Sequence, residues 1–285
     1  MTPLRSRIDH RVSLPDLSLA VIEWPGDDPG LLLLHGLGSN ARIWNRTISS
    51  LKCGLKVVAP DQRGHGLSEE PDNGYEPKTW VADILAVMDH FGLRRPVVAG
   101  HSWGAAVALR LEACHPDRVA GLILVDGGLA KMSDWMPWEQ AEVVLRPPDF
   151  GPVEPSIFVD RARTTFLAPV WDNDIEEFIQ AMLRRGPDGL WRRAFSIPNH
   201  MRTVRALYDH DGPALLTAVN CPTAVCVATG DRPEAAEAIL KLVAEVGRSK
   251  VVVERFDCPH DIPLYLPQQL AQTIDAICLG ADGSR

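Results

Sequence analysis

Leu31–Leu34 are four consecutive leucines, bounded by "GDDPG" before and "HGLGSN" after. A strand with one wet face would alternate apolar and polar residues. A short, unbroken apolar run between turn signals fits a strand buried on both faces. "KVVAPD", "PVVAG", "VAGLILVDGG", "TAVCVATGD" and "KVVVERFD" repeat the strand pattern further along the chain. Such strands need helices above and below, and helical periods lie between them. "SNARIWNRTISSL" is expected as a helix with Ser39 or Asn40 as N-cap. "EPKTWVADILAVMDHFG" sets Trp80, Ile84, Val87, Met88 and Phe91 at helical spacing and stops at Gly92. "AAVALRLEACHP", "PEAAEAILKLVAEVG" and "DIPLYLPQQLAQTIDAICLG" complete the set. Two further strands, "RIDHRVSL" and "LSLAVIEWPG", turn at Pro15-Asp16. The alternation predicts an α/β fold with a mostly parallel, doubly wound sheet.

The rhythm breaks after Gly128. Residues 131–212 hold four tryptophans, several prolines and helical pieces such as "DNDIEEFIQAMLRRG" and "NHMRTVRALYDHDG", with no buried-strand run. The expected organisation is a core of residues 1–130 and 213–285, interrupted by a helical cap at 131–212.

A chain of 285 residues can bury a sizeable core without disulfides or a structural metal. Its net charge of −8 counts against nucleic acid or an anionic membrane, since both reward clustered Lys and Arg. The six cysteines form no C-x-x-C, and no H-E-x-x-H occurs, so no metal site is expected. The N-terminus lacks an apolar signal region, and no apolar stretch reaches membrane-spanning length. The expectation is a cytoplasmic protein, monomer or homodimer, acting on a small molecule.

Gly100-His101-Ser102-Trp103-Gly104 is a G-x-S-x-G pentapeptide. Alone it is a weak signal. Its flanks make it stronger, because a strand precedes it and a helix follows, the context in which such a serine is exposed on a tight turn. Gly100 and Gly104 keep the positions two before and two after the serine small. A serine nucleophile needs a base. His260, in "RFDCPHDIPLYLP", follows a strand end, and loops at the carboxyl ends of parallel strands gather at one sheet edge. The base needs an orienting carboxylate. Asp231, after "AVCVATG", is the expected acid and Asp126, after "LILV", the alternative. An oxyanion hole needs two amides; Trp103 and Leu37 are the candidates, with Gly36 and Gly38 allowing close approach.

These stretches together, "HGLGSN", "DQRGHGLS", "GHSWGA", "LILVDGG", "VATGD" and "CPHDIP", resemble the α/β-hydrolase superfamily, in its serine-nucleophile branch with a helical cap. The resemblance implies Ser102 as nucleophile, His260 as base and then acid, and a carboxylate after the preceding strand. It implies a carboxylesterase-like serine hydrolase acting through an acyl-enzyme, with no cofactor. Pro259 departs from the glycine that members often have before the histidine. "DQRGHGLS" is usually structural in the family, so His65 is given no catalytic role. Lactonases, C–C bond hydrolases and cofactor-free haloperoxidase-like enzymes share the scaffold. Proline iminopeptidase-like aminopeptidases share "SWG" and "DQRG" but carry "HGGPG" where this chain has "HGLGSN". Relatives that open epoxides usually attack with Asp at the elbow. Two readings lie further off: a non-catalytic ligand-binding protein, and a dinucleotide-binding oxidoreductase. The latter arises because "HGLGSNA" imitates G-x-G-x-x-A, with Asp61 at the next strand end.

Overall fold

The computed structural model describes residues 6–165, 167–246 and 250–282. Ten strands occur among them: β1 (Ile8–Ser13), β2 (Ser18–Trp24), β3 (Asp27–Leu34), β4 (Leu55–Pro60), β5 (Val97–His101), β6 (Gly121–Val125), β7 (Leu183–Arg185), β8 (Trp191–Arg193), β9 (Thr223–Ala228) and β10 (Val251–Phe256). Eight form one sheet in the order β1-β2-β4-β3-β5-β6-β9-β10. β1 and β2 are antiparallel to each other, and β2 to β4; every other pairing is parallel.

The four leucines explain the layering. Leu31 and Leu33 join Val57, Val97 and Ala99 on one face of the sheet. Leu32 and Leu34 join Val58, Val98 and Leu122 on the other. All four are 0% exposed, and a fully buried leucine contributes about 2 kcal/mol of transfer free energy. Two apolar layers on opposite faces of one sheet require helices on both sides. The long ones are Pro77–His90, Trp103–Cys114, Pro233–Val246 and Pro267–Asp282. Cys221, Cys226, Cys258 and Cys278 are buried, and none of the six cysteines is in a disulfide. No helix of the described residues is long and apolar enough to cross a membrane.

Three local expectations differ, one being that the closing helix is split at Leu266 into Ile262–Tyr265 and Pro267–Asp282. The segment after Asn40 is a 3-10 turn, Ala41–Trp44, running into a helix at Asn45–Ser50. The Asn40 side chain accepts from the Arg42 amide and so caps the tight first turn. In the insertion between β6 and β9, the helix Asn173–Gln180 stops short of "LRRG", and β7 pairs antiparallel with β8. The region is therefore not wholly helical. Pro187 disfavours helix at the residue before it, and Gly189 takes φ +80° to close the turn. Three-residue strands rich in arginine carry no period for a sequence reading to find.

The insertion leaves and rejoins the core at one point. His210 Nε2 donates to the Gly128 carbonyl at 2.9 Å, and Lys131 pairs with Asp211 at 2.8 Å. A β-carbon on Gly212 would stand 2.4 Å from the Gly128 oxygen, so only glycine lets the two segments pass.

Candidate active site

Ser102 stands between β5 and the helix Trp103–Cys114, as its N-cap, with φ 55° and ψ −116°, a conformation L-residues rarely hold. The turn is fixed from several sides. The Ser102 amide donates to the Val125 carbonyl at 2.9 Å, and the Ala105 amide donates to the Ser102 carbonyl at 3.1 Å. A β-carbon on Gly100 would lie 2.2 Å from the Gly104 oxygen, and one on Gly104 would lie 2.4 Å from the Leu34 oxygen. The pentapeptide glycines are thus steric requirements. The helix N-terminus behind Ser102 favours negative charge at that place.

His260, on the loop after β10, sets its Nε2 2.9 Å from Ser102 Oγ. Its Nδ1 is 2.5 Å from Asp126 Oδ2. Asp126 directly follows β6 with φ 46°, and its Oδ1 accepts the Ala228 amide at 3.0 Å. Burial alone would raise the Asp126 pKa. The hydrogen bond and charge of His260, the Ala228 amide and Arg232 outweigh it, leaving the carboxyl below its ordinary value. An ionised Asp126 accepts a hydrogen bond from Nδ1–H, which fixes the proton there and leaves Nε2 free to accept from the serine hydroxyl. Arg232 Nη2 stands 2.6 Å from Asp126 Oδ2 and 2.6 Å from His260 Nδ1. The guanidinium and the imidazole therefore compete for one carboxylate oxygen.

Asp231, expected to orient the histidine, does not touch it. Its side chain is 44% exposed, and its ion-pair partner is Arg232 Nε at 3.7 Å. The sheet order gives the reason. β6 lies directly beside β5, which carries Ser102, whereas β9 lies one strand further out. With strands about 4.8 Å apart, the end of β6 is the nearer of the two.

The loop after β3 closes against Ser102. A β-carbon on Gly36 would stand 3.1 Å from Ser102 Cβ. Neither the Leu37 nor the Trp103 amide has a hydrogen-bond partner among the described residues. Two histidines brace this loop. His35 Nδ1 donates to the Gly36 carbonyl at 2.8 Å, and its Nε2 accepts the Gln62 amide at 2.9 Å. His65 Nδ1 donates to the Arg63 carbonyl, and its Nε2 accepts the Gly38 amide at 3.0 Å. Each ring must be neutral to accept, and burial moves both pKa values down. His65 also stacks on Trp103, centroids 5.2 Å apart. His101 is a further buried ring: its Nε2 donates to the His260 carbonyl at 3.0 Å. Burial first, and the neighbouring His260 second, push it down to about 4. None of these three supports was assigned from the sequence. The signal for His35 and His65 is "HG" in two motifs, of which "HGLGSN" is read for its glycines and "DQRGHGLS" as structural with no catalytic role for His65.

Asp61, which imitated the acid of a dinucleotide site, spends its carboxylate inside the protein. Oδ1 accepts the Ala41 amide and Oδ2 the Leu67 amide, with Arg42 3.5 Å away. At 1% exposure it cannot reach a ribose.

A doubly wound sheet with a strained serine at the central strand end, and a histidine and carboxylate converging on it, defines a hydrolase scaffold. The family model described as "Alpha/beta hydrolase family" matches residues 31–273, and the chain belongs to that family. Among curated relatives, Epoxide hydrolase B of Mycobacterium tuberculosis is 39% identical over 109 residues, which cover 36% of this chain and 31% of that protein. The chain thus spans under a third of that relative's length. Lipase LipV of the same organism is 28% identical over 260 residues, covering 88% of this chain and 93% of that one. Among solved structures, E-2-(acetamidomethylene)succinate hydrolase superposes with a TM-score of 0.77 at 22% identity, covering 96% of this chain and 99% of that one.

Proposed function

We propose that the protein is a serine hydrolase that cleaves a small carboxylic ester through an acyl-enzyme. The observation that carries this reading is the relay Ser102 Oγ to His260 Nε2 at 2.9 Å and His260 Nδ1 to Asp126 at 2.5 Å. Ser102 attacks the ester carbonyl while its proton passes to Nε2. Asp126 holds the tautomer and stabilises the imidazolium. The Leu37 and Trp103 amides take the oxyanion. The intermediate collapses, and the leaving alkoxide takes the proton from Nε2. Water then gives a proton to Nε2 and attacks the acyl-enzyme; the second intermediate breaks its bond to Ser102 Oγ, which takes the proton back from Nε2 as the acid leaves.

Residues 131–212 serve in this reading as the cap over the site. Arg184 donates to the carbonyls of Gly64, Gly66 and Ser68, and Phe195 packs on His65 with centroids 3.9 Å apart. More than one relative is named an epoxide hydrolase. Epoxide-opening relatives usually attack with aspartate at the elbow, and the serine here favours acyl transfer instead. The test is labelling by a neutral fluorophosphonate, with hydrolysis of p-nitrophenyl esters in parallel. The expected result is one adduct, on Ser102, and loss of both labelling and turnover in Ser102→Ala. Undiminished turnover in Ser102→Ala would overturn the reading.

A further inference from the structure

Arg193 ends β8 and reaches back over the loop beside Ser102. Its Nη1 lies 3.9 Å from the point where a β-carbon on Gly38 would stand, and two ring atoms of His200 lie 4.0 Å from the same point. Gly36, two residues earlier on that loop, abuts Ser102 Cβ. Two residues of chain span at most about 7 Å. The guanidinium and the serine are therefore within one small molecule's reach.

The surroundings of Arg193 are unusual for a charge. Arg7, Arg42, Arg46 and Arg63 are partly or wholly buried and each is paired with a carboxylate. Arg193 forms no ion pair among the described residues. Its polar contact is a 3.5 Å approach to the Pro148 carbonyl, and its guanidinium lies 5.2 Å from the Phe150 ring centroid. Burial lowers its pKa, and the more distant Asp149 only partly opposes this. His200 beside it is 8% exposed, and its Nδ1 has no partner among the described residues. Burial first and Arg193 second push His200 down to about 4, so the ring is neutral and adds no second charge. A cavity of about 320 Å³ adjoins the guanidinium, with Asp149, Phe150, Arg192 and Ser196 in its wall. A half-buried cation with no ion pair among the described residues carries a desolvation cost that Asp149 offsets only in part. An arriving carboxylate would offset it through bidentate, charge-assisted hydrogen bonds.

We propose that Arg193, with His200 beside it, anchors a carboxylate on the substrate, so that the compound cleaved at Ser102 bears an anionic group a few bonds from its scissile carbonyl. The Ser102 end of this proposal rests on the serine-hydrolase reading; the anion site does not. The kinetic test compares mono-p-nitrophenyl glutarate with neutral p-nitrophenyl valerate in the native enzyme, Arg193→Gln and Arg193→Lys. The expected result is a native kcat/KM at least tenfold higher for the hemiester. Arg193→Gln should lower that preference at least tenfold, mainly through KM, and Arg193→Lys should restore part of it. Equal or greater kcat/KM for the valerate in the native enzyme, or an unaltered preference in Arg193→Gln, overturns the proposal. A second arm needs no turnover: calorimetric titration of monomethyl glutarate into Ser102→Ala, with and without Arg193→Gln. A tenfold or larger loss of affinity supports the anion site, and equal affinity overturns it. If the fluorophosphonate leaves Ser102 unlabelled, the hydrolase reading fails while this titration still decides the anion site.

Discussion

Replacing Asp126 by asparagine tests the relay at its tightest contact. Asparagine tolerates the left-handed backbone at this position, where φ is 46°, so the fold should survive. The amide has no freedom to flip. The Ala228 amide donates to Oδ1 at 3.0 Å and needs an acceptor there. The new NH2 group must then face His260 Nδ1, which is forced to accept. The ring proton moves to Nε2, and the base that Ser102 needs is gone. A second loss adds to this, since the imidazolium formed during attack no longer faces a carboxylate. At a charge separation of roughly 4 Å and an effective dielectric of about 20, that attraction is about 4 kcal/mol, or about a thousandfold in rate. Loss of the correct tautomer in such a triad costs about ten thousandfold, so kcat should fall by three to four orders of magnitude. Asp231→Asn is the control. Its carboxylate is 44% exposed and pairs only loosely with Arg232, so kcat should stay within about twofold of the native value, as surface pairs contribute little. The assay is steady-state hydrolysis of a p-nitrophenyl ester, with melting curves to confirm both variants fold. A larger loss in Asp231→Asn than in Asp126→Asn would refute the reasoning.

Two further outcomes follow from backbone strain and burial. Ser102→Gly should be more stable than Ser102→Ala by about 1 kcal/mol. Both lose the hydroxyl, but only glycine relieves the φ 55° strain of about 1–3 kcal/mol, against its usual penalty of about 0.5–1 kcal/mol; a lower melting temperature for the glycine variant counts against this. Stability should also fall on acidification. His101 and His200 sit at about 4 in the fold against about 6.5 unfolded. The unfolded chain therefore binds more protons between these values, and stability present above 6.5 is lost as pH falls toward 4. The loss is about 2 kcal/mol per ring by pH 5. Urea midpoints at pH 7.5 and 5 measure it, and a His200→Gln variant with an unaltered difference would refute the assignment.

Much of the fold was legible because its signals are local. Leu31–Leu34 could be read as doubly buried without knowing the neighbours, since only a covered strand accommodates four leucines in succession. Ser102 was legible because its steric needs stand beside it as Gly100 and Gly104. His260 was legible from its place between a strand and the last helix. The acid was not, because two strand ends satisfy the same order along the chain, and the decision rests on which strand lies beside β5. A further signal exists in "DGG": a β-carbon on Gly127 would stand 2.2 Å from the Ser102 carbonyl oxygen, so the glycine after Asp126 marks the chain passing Ser102. The β7–β8 hairpin, the bracing rings of His35, His65 and His101, and the convergence of Arg193 on Gly38 all depend on contacts between distant segments. No periodicity encodes them.

The neck at Gly128, His210 and Gly212 ties the two ends of the insertion together. Closing the loop is therefore nearly indifferent to how much chain lies between those ends, although the inserted segment is also fastened to the core by Glu177 on Arg42, Phe178 on Asn40 and Arg184 on Ser68. Doubling such a loop costs only about 0.6 kcal/mol in closure entropy. Under the proposed cap role, exchanging what lies beyond the neck would alter substrate preference while Ser102, His260 and Asp126, two residues upstream of Gly128, keep their places.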